Sequence, residues 1–334
     1  MDLKVFWKKF GMFALLLVLV AAFSLASPDT FFTTITLFNI LKQASIIGVL
    51  SCGMTLLLIM GEIDISVGSR IAMTTLICGK LLTAGWPIWI VILFAIVFGA
   101  LTGVLNGFLA QLLRTNVFVV TMATNYIWMG AGFLYNGAAT LTGFPDAFKS
   151  ISQFQIFGAI PSIAVIFAAC AVISGFILAK TYFGRYLYAI GGNREAAYLA
   201  GINVKKNTLF AHLLAGVFFG IGAIILMSRT MSATANTGSS FAFECITACV
   251  LGGVQLVGGQ GKMYQAMLGV LVIYVIFNGL TILGVTDYWQ MALKGVLLLI
   301  AIGIEVVQRT AKVELSDKIG TKPNKKELKT AAAE

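Results

Sequence analysis

The chain has 334 residues, 59% of them hydrophobic and 11% charged, with a mean hydropathy of +0.95, whereas soluble domains carry about 25% charged residues. That balance excludes an ordinary soluble enzyme and marks a polytopic membrane protein. The net charge of +10 does not point to nucleic acid, because the basic residues sit at the ends of apolar runs and form no single stripe.

A bilayer core takes about 20 apolar residues per helix. On that rule the sequence predicts an all-α, polytopic membrane helical bundle of about ten transmembrane helices. They fall near residues 10–27, 40–60, 67–84, 87–112, 117–138, 160–180, 207–228, 244–257, 264–283 and 288–307. The first run follows Lys4, Lys8 and Lys9 as a signal peptide would, but no small-residue cleavage site is convincing, and it is read as a retained helix. An even count puts both termini on one side. With that side cytoplasmic, 18 of the 23 lysines and arginines lie on it, Arg70 among them, and only Lys42, Lys80, Lys149, Arg229 and Lys294 do not. The positive-inside bias therefore predicts cytoplasmic termini. The transmembrane domain is drawn over residues 1–312, and residues 313–334 read as a polar, poorly ordered cytoplasmic tail.

Along the chain, GEIDISVGS at 61–69 and GGVQLVGGQG at 252–261 interrupt the apolar pattern. Helices broken at membrane depth commonly line a pathway, since unpaired backbone is tolerated only against water or protein. In the first stretch Glu62 and Asp64, with Ser66 beside them, either end a helix at the inner surface or belong to a gate. Gly99, Gly103 and Gly107 recur every four residues, as do Gly216 and Gly220, so each series lies on one helix face and lets a neighbouring backbone approach closely. The longest polar interruption is Tyr182 to Lys206, with Arg185, Arg194, Lys205 and Lys206 against Glu195. Within it Asn193 caps a helix of about seven residues that Gly201 ends. A helix that short is marginal alone and is expected to pack on something else.

Charges inside the spans are costly and are kept where they face protein, water or a route. Glu244 begins the eighth span, and Lys294 lies seven residues into the tenth, where it either pairs inside the bundle or lines a path. Lys42 reads as snorkelling to the interface, and Asn278 and Gln290 as interhelical hydrogen-bonding groups. Five cysteines with no CxxC spacing read as unpaired packing residues, and the single histidine, His212, as an interfacial or packing residue. No catalytic residue, metal site or cofactor site is predicted on the chain. GGQGKM at 258–263 fails the phosphate-loop pattern, with Leu256 where a glycine is required and Met263 where Ser or Thr is required.

With these residues in view, the chain resembles the permease subunits of bacterial ATP-binding-cassette importers for simple sugars, the ribose, xylose, galactoside and autoinducer branch, over about residues 10–307. The carrying motifs are GEIDISVGS, GGNREAAYLAGI at 191–202 and LGGVQLVGGQG at 251–261, with NGLTILGVTDYWQMALKGVLLL at 278–299. Two departures stand out. Glu62 occupies a position where the family typically has glycine, and Phe241-Ala242-Phe243-Glu244 stands where it often has a Tyr-Glu-Leu-Asp run.

The resemblance implies a permease in the bacterial inner membrane that binds no cofactor itself. Its partners would be a cytoplasmic ATPase holding ATP and Mg, a periplasmic sugar-binding protein, and a second permease subunit, identical or not. Asn193, Arg194, Glu195, Ala196, Ala197, Tyr198, Leu199, Ala200 and Gly201 match the short helix that such permeases seat on the ATPase, with Ala197 expected in the packed contact. Glu62, Asp64, Ser66, Glu244 and Lys294 are the candidate pathway or gate residues. The rival reading is a self-contained, ion-coupled secondary transporter using Glu62, Asp64 or Glu244. A membrane-embedded enzyme lacks a plausible cluster.

Overall fold

The computed structural model describes residues 3–156 and 160–318. It is an all-α membrane bundle with one two-residue hairpin: α1 Leu3–Ala26, α2 Thr34–Ile59, α3 Val67–Thr83, α4 Ile88–Leu113, α5 Val117–Asn136, α6 Asp146–Gln153, β1 Gln155–Ile156, β2 Ile160–Pro161, α7 Ser162–Lys180, α8 Tyr182–Gly192, α9 Arg194–Leu199, α10 Val204–Thr230, α11 Phe241–Gly252, α12 Met263–Ile282 and α13 Asp287–Lys318. Among the described residues seven helices are long and apolar enough to cross a membrane: α2, α4, α5, α7, α10, α12 and α13 as far as Val307. The other three expected spans are shorter helices. The apolar part of α1 is Gly11–Ala26, α3 has 17 residues and α11 has 12. At a rise of about 1.5 Å per residue α11 covers roughly 18 Å of a core about 30 Å thick. It ends before the expected residue 257 because Gly253 takes a left-handed conformation (φ +105°), and the apolar residues that follow form loop. Helix α13 continues to Lys318, while residues 319–334, most of the expected tail, lie outside the described residues.

Helix α2 is the axis of the core. From Ala44 to Ile59 every residue is buried, as a helix apolar on all sides requires, and α7, α10, α11 and α12 pack around it. Beside it α4 and α10 form the closest helix pair, and the two glycine series explain why. A Cβ added at Gly99 would fall on the Gly216 carbonyl oxygen, one at Gly216 on the Gly99 carbonyl oxygen, and one at Gly220 on that of Ala95. The expected backbone approach is therefore between these two series. The opposite face of α4, with Leu101, Leu105, Phe108 and Leu112, is exposed, as a lipid-facing surface would be.

Between α2 and α3 the chain is non-helical and enclosed. Asp64 organises it: Oδ1 accepts from the Ser66 backbone N–H (2.8 Å) and hydroxyl (2.6 Å), and Oδ2 pairs with Arg70 Nη1 at 2.7 Å. Arg70 also donates to Thr102 Oγ1 (3.0 Å) and the Gly99 carbonyl (2.9 Å), and Asn106 donates to Ser66 Oγ (2.8 Å). Asp64 and Ser66 thus do not end a helix at a surface. Arg70, counted in the sequence as an inner-side charge, is 2% exposed in the first turn of α3 and marks no loop. Its charge is matched by Asp64 six residues earlier.

Two outcomes follow from this packing. Gly216→Ala should destabilise the detergent-solubilised protein by about 1–3 kcal/mol through overpacking, whereas Gly295→Ala, where an added Cβ meets nothing within 4 Å, should leave its thermal unfolding unchanged. Arg70→Met leaves Asp64 charged and enclosed, a loss of about 3–5 kcal/mol, and the double variant Arg70→Met/Asp64→Asn should recover much of it. A double variant that melts below the single one would contradict the pairing.

Candidate functional site

The three motifs, at 61–69, 191–202 and 251–261 in sequence, meet at one end of the bundle. The carbonyl that ends α2, that of Ile59, accepts from Gly259 N–H at 2.8 Å, and Gly191 at the end of α8 packs against the same carbonyl. Gly61 (φ +79°) and Gly259 (φ +73°) occupy left-handed conformations at this junction. A Cβ at Gly61 would lie 3.0 Å from the Val257 carbonyl oxygen, and one at Gly259 would lie 2.9 Å from the Gly192 Cα. Glycine is therefore required twice over, for conformation and for space. Tyr188 donates from its hydroxyl to the Gly261 carbonyl (2.7 Å), and Glu305 of α13 accepts from Leu256 N–H (2.8 Å). These two contacts fix the 253–262 loop from both sides.

Helix α9 stands at this junction. Asn193 caps it, accepting from Ala196 N–H at 2.8 Å, and Gly201 follows it at φ +84°, as the sequence predicts. The residues before it, read as part of the polar interruption, form α8, whose start Thr181 caps by accepting from Gly184 N–H (3.1 Å). Of the α9 residues Ala197 is turned into the protein's own core and is 4% exposed. This corrects its expected place in a contact with a partner. Tyr198 and Leu199, at 69% and 78% exposed, form the outward face.

The first residue of α9 is bound to the broken helix. Arg194 Nη1 pairs with Glu62 Oε1 at 2.9 Å, and its Nη2 donates to Thr208 of α10 at 3.3 Å. The other Glu62 oxygen lies 2.8 Å from His212 Nε2. Burial pushes the Glu62 carboxyl up, but the bonds and charges of His212 and Arg194 outweigh it and hold it below its ordinary value. His212 is fully buried and packs against Gly103 and Gly107 of α4, so it is a packing residue with a polar partner as well. A cleft of about 1130 Å³ opens beside the pair, between the α4–α5 connection and α9, with Arg114, Glu195 and Lys205 on its walls.

The remaining candidates lie elsewhere. Glu244 of α11 accepts from Lys294 Nζ of α13 (2.7 Å), Tyr274 of α12 (2.9 Å) and Ser240 (2.7 Å). Lys294 is thus paired inside the bundle, beside an apolar cavity of about 260 Å³. The candidate set separates into Glu62, Asp64 and Ser66 at the break and Glu244 with Lys294 between α11 and α13. Sequence reasoning passed over Arg70, Asn106, Tyr274 and Glu305 as site residues; the carboxylates of Asp64 and Glu244 were the signal that partners such as Arg70 and Tyr274 had to be near. Gln290 donates to Thr281 Oγ1 (3.0 Å) and the Val285 carbonyl (3.1 Å) across the α12–α13 connection. All five cysteines are buried and free, and among the described residues no group of His, Cys, Asp and Glu could hold a metal ion.

A family model described as branched-chain amino acid transport system / permease component matches residues 36–302. The chain is 34% identical over 294 residues to the ribose import permease protein RbsC of Haemophilus influenzae, covering 87% of this chain and 90% of that protein. It is 34% identical over 323 residues to the galactose/methyl galactoside import permease protein MglC of Salmonella typhimurium, covering 91% and 96%. No solved structure matches. The matched region begins in α2 and ends in α13, and so contains the three-motif junction and both charge clusters. The chain is a multi-pass membrane transport subunit, not an enzyme, and belongs to the branched-chain amino acid transport system permease family.

Proposed function

We propose that the chain is the permease subunit of an ATP-binding-cassette importer that passes a simple sugar, a pentose, hexose or related polyol, across the bacterial inner membrane. The observation that carries this reading is similarity over about nine-tenths of both chains to permeases named for ribose and for galactose. In this reading a periplasmic binding protein delivers the sugar and a cytoplasmic ATPase, holding ATP and Mg, drives the cycle. A second permease chain, identical or related, completes the passage. The seven long helices, with α1, α3 and α11, make ten crossings with both termini in the cytoplasm; residues 1–312 are the permease domain and 313–334 the tail. Helix α9 is the seat of the ATPase. Its support is geometric: a capped six-residue helix whose outward residues Tyr198 and Leu199 are apolar and uncovered, a surface that costs free energy in water and gains it against a partner.

Glu62, Asp64, Ser66, Glu244 and Lys294 line or bound the passage in this reading. An ion-coupled transporter is less well supported, because the carboxylates of Glu62, Asp64 and Glu244 are each matched by a cation, leaving no unpaired acid among the three to carry a proton or sodium ion.

Proteoliposomes decide between the two. Uptake of labelled ribose or galactose should require the ATPase, the binding protein and ATP, should stop with vanadate and should survive an uncoupler. Uptake by this chain alone, without nucleotide, would end the proposal. Leu199→Glu should leave the permease folded and inserted while lowering co-purification of the ATPase at least about tenfold, the cost of burying one unpaired charge in a packed contact. Undiminished co-purification would remove α9 from that role.

A further inference from the structure

We infer that Glu62 is the positioning residue that ties α9 to the break between α2 and α3, so that displacement of α9 is delivered to the pathway helices through the Arg194–Glu62 ion pair. The inference rests on α9 being the seat of the ATPase.

Three observations carry it. First, α9 has few polar links to the rest of the bundle. Ala197 is its one buried residue and its Asn193 cap is local, so the Arg194 bonds to Glu62 and Thr208 are its side-chain hydrogen bonds to other elements. Second, Glu62 divides its oxygens between elements, Oε1 to Arg194 of α9 and Oε2 to His212 of α10. If α9 moves, the carboxylate either follows Arg194 or falls back on His212. It cannot remain enclosed without a hydrogen-bonding partner, because an unpaired buried charge is far more costly than a paired one. Third, Glu62 is joined to the machinery of the break on both sides. Its own N–H donates to the Leu57 carbonyl in the last turn of α2 (2.9 Å), and two residues on, Asp64 is locked to Arg70, which binds α4. A pull on Glu62 therefore acts between two anchored points, inside the break between α2 and α3.

The assembled importer, with ATPase and binding protein in proteoliposomes, tests it by the sugar moved per ATP hydrolysed. A purely structural role would lower transport and hydrolysis together and leave that ratio alone. Arg194→Gln and Glu62→Gln should each lower the ratio about fivefold or more. The double variant should be no worse than either single, the non-additivity expected of two residues acting through one bond. Arg194→Lys, which keeps the charge without the planar fork, should recover at least about half of the ratio. Arg194 is half exposed, at 52%, so its replacement tests the tether even where Glu62→Gln fails to fold. A ratio within about twofold of the unmodified importer for Arg194→Gln, or losses that multiply in the double variant, would overturn the inference. If that happens while Leu199→Glu still releases the ATPase, the tether is wrong and the seat stands. If Leu199→Glu also leaves the assembly intact, the seat itself is wrong.

Discussion

A helix that stops inside a membrane protein leaves its last carbonyls without partners, and the chain that follows must bury polar backbone. Helix α2 stops at Ile59, and the way its ending is satisfied determines the end of the bundle that carries α9. Gly259 supplies an N–H to the Ile59 carbonyl, Leu57 takes the Glu62 N–H, and Asp64 folds the next residues into a turn by accepting from Ser66 twice. The 253–262 loop lies there because its N–H groups and glycines fit the ending of α2. The end of α8 lies there because Gly191, where a Cβ would fall on the Ile59 carbonyl and Gly259 N, leaves room for that loop. Three stretches distant in sequence thus become one junction for a single reason.

The same need explains a second role of the glycine stripe on α4. Its spacing permits close packing with α10, but it also makes room for two buried cationic or titratable side chains. A Cβ at Gly103 would lie 3.2 Å from Arg70 Nη2, and one at Gly107 would lie 2.9 Å from His212 Cδ2, while Gly99 gives its carbonyl to Arg70. The stripe is therefore the wall against which the partners of both Asp64 and Glu62 are held.

Much of this was legible in advance. Regular hydropathy located every long helix, and two four-residue glycine series predicted a close helix pair. Asn193 and Gly201 bounded α9 because caps are local chemistry. What was not legible depended on distant partners or on helix phase. Arg70 looks like any basic residue at a span end, and the elements that enclose it, α4 and the Phe219 ring of α10, come about thirty and about 150 residues later. His212 gave no sign of its acceptor, since Glu62 is 150 residues away in sequence. Hydropathy could not separate the loop residues Val254 to Val257 from helix, because apolar loop and apolar helix have the same composition. Ala197 and Leu199 differ in direction by the phase of a six-residue helix, which no periodicity that short can set.

The two carboxylates of the break differ in a way their sequence positions conceal. Asp64 is closed off completely, its cation Arg70 is buried with it, and Arg70 is itself held by α4 at two further points. That pair has no low-cost alternative geometry, since separating it strands two charges in a low-dielectric interior. Glu62 is equally buried, but its cation Arg194 is half exposed on a short helix, and a second partner, His212, stands ready on the other oxygen. Losing Arg194 to water costs less, because a guanidinium at the rim is already half solvated and Glu62 keeps one bond. One side of the break is therefore fixed by full enclosure, and the other is adjustable because its cation sits at the surface. A junction that must both hold a broken helix and respond to a partner needs both kinds of pair, two residues apart.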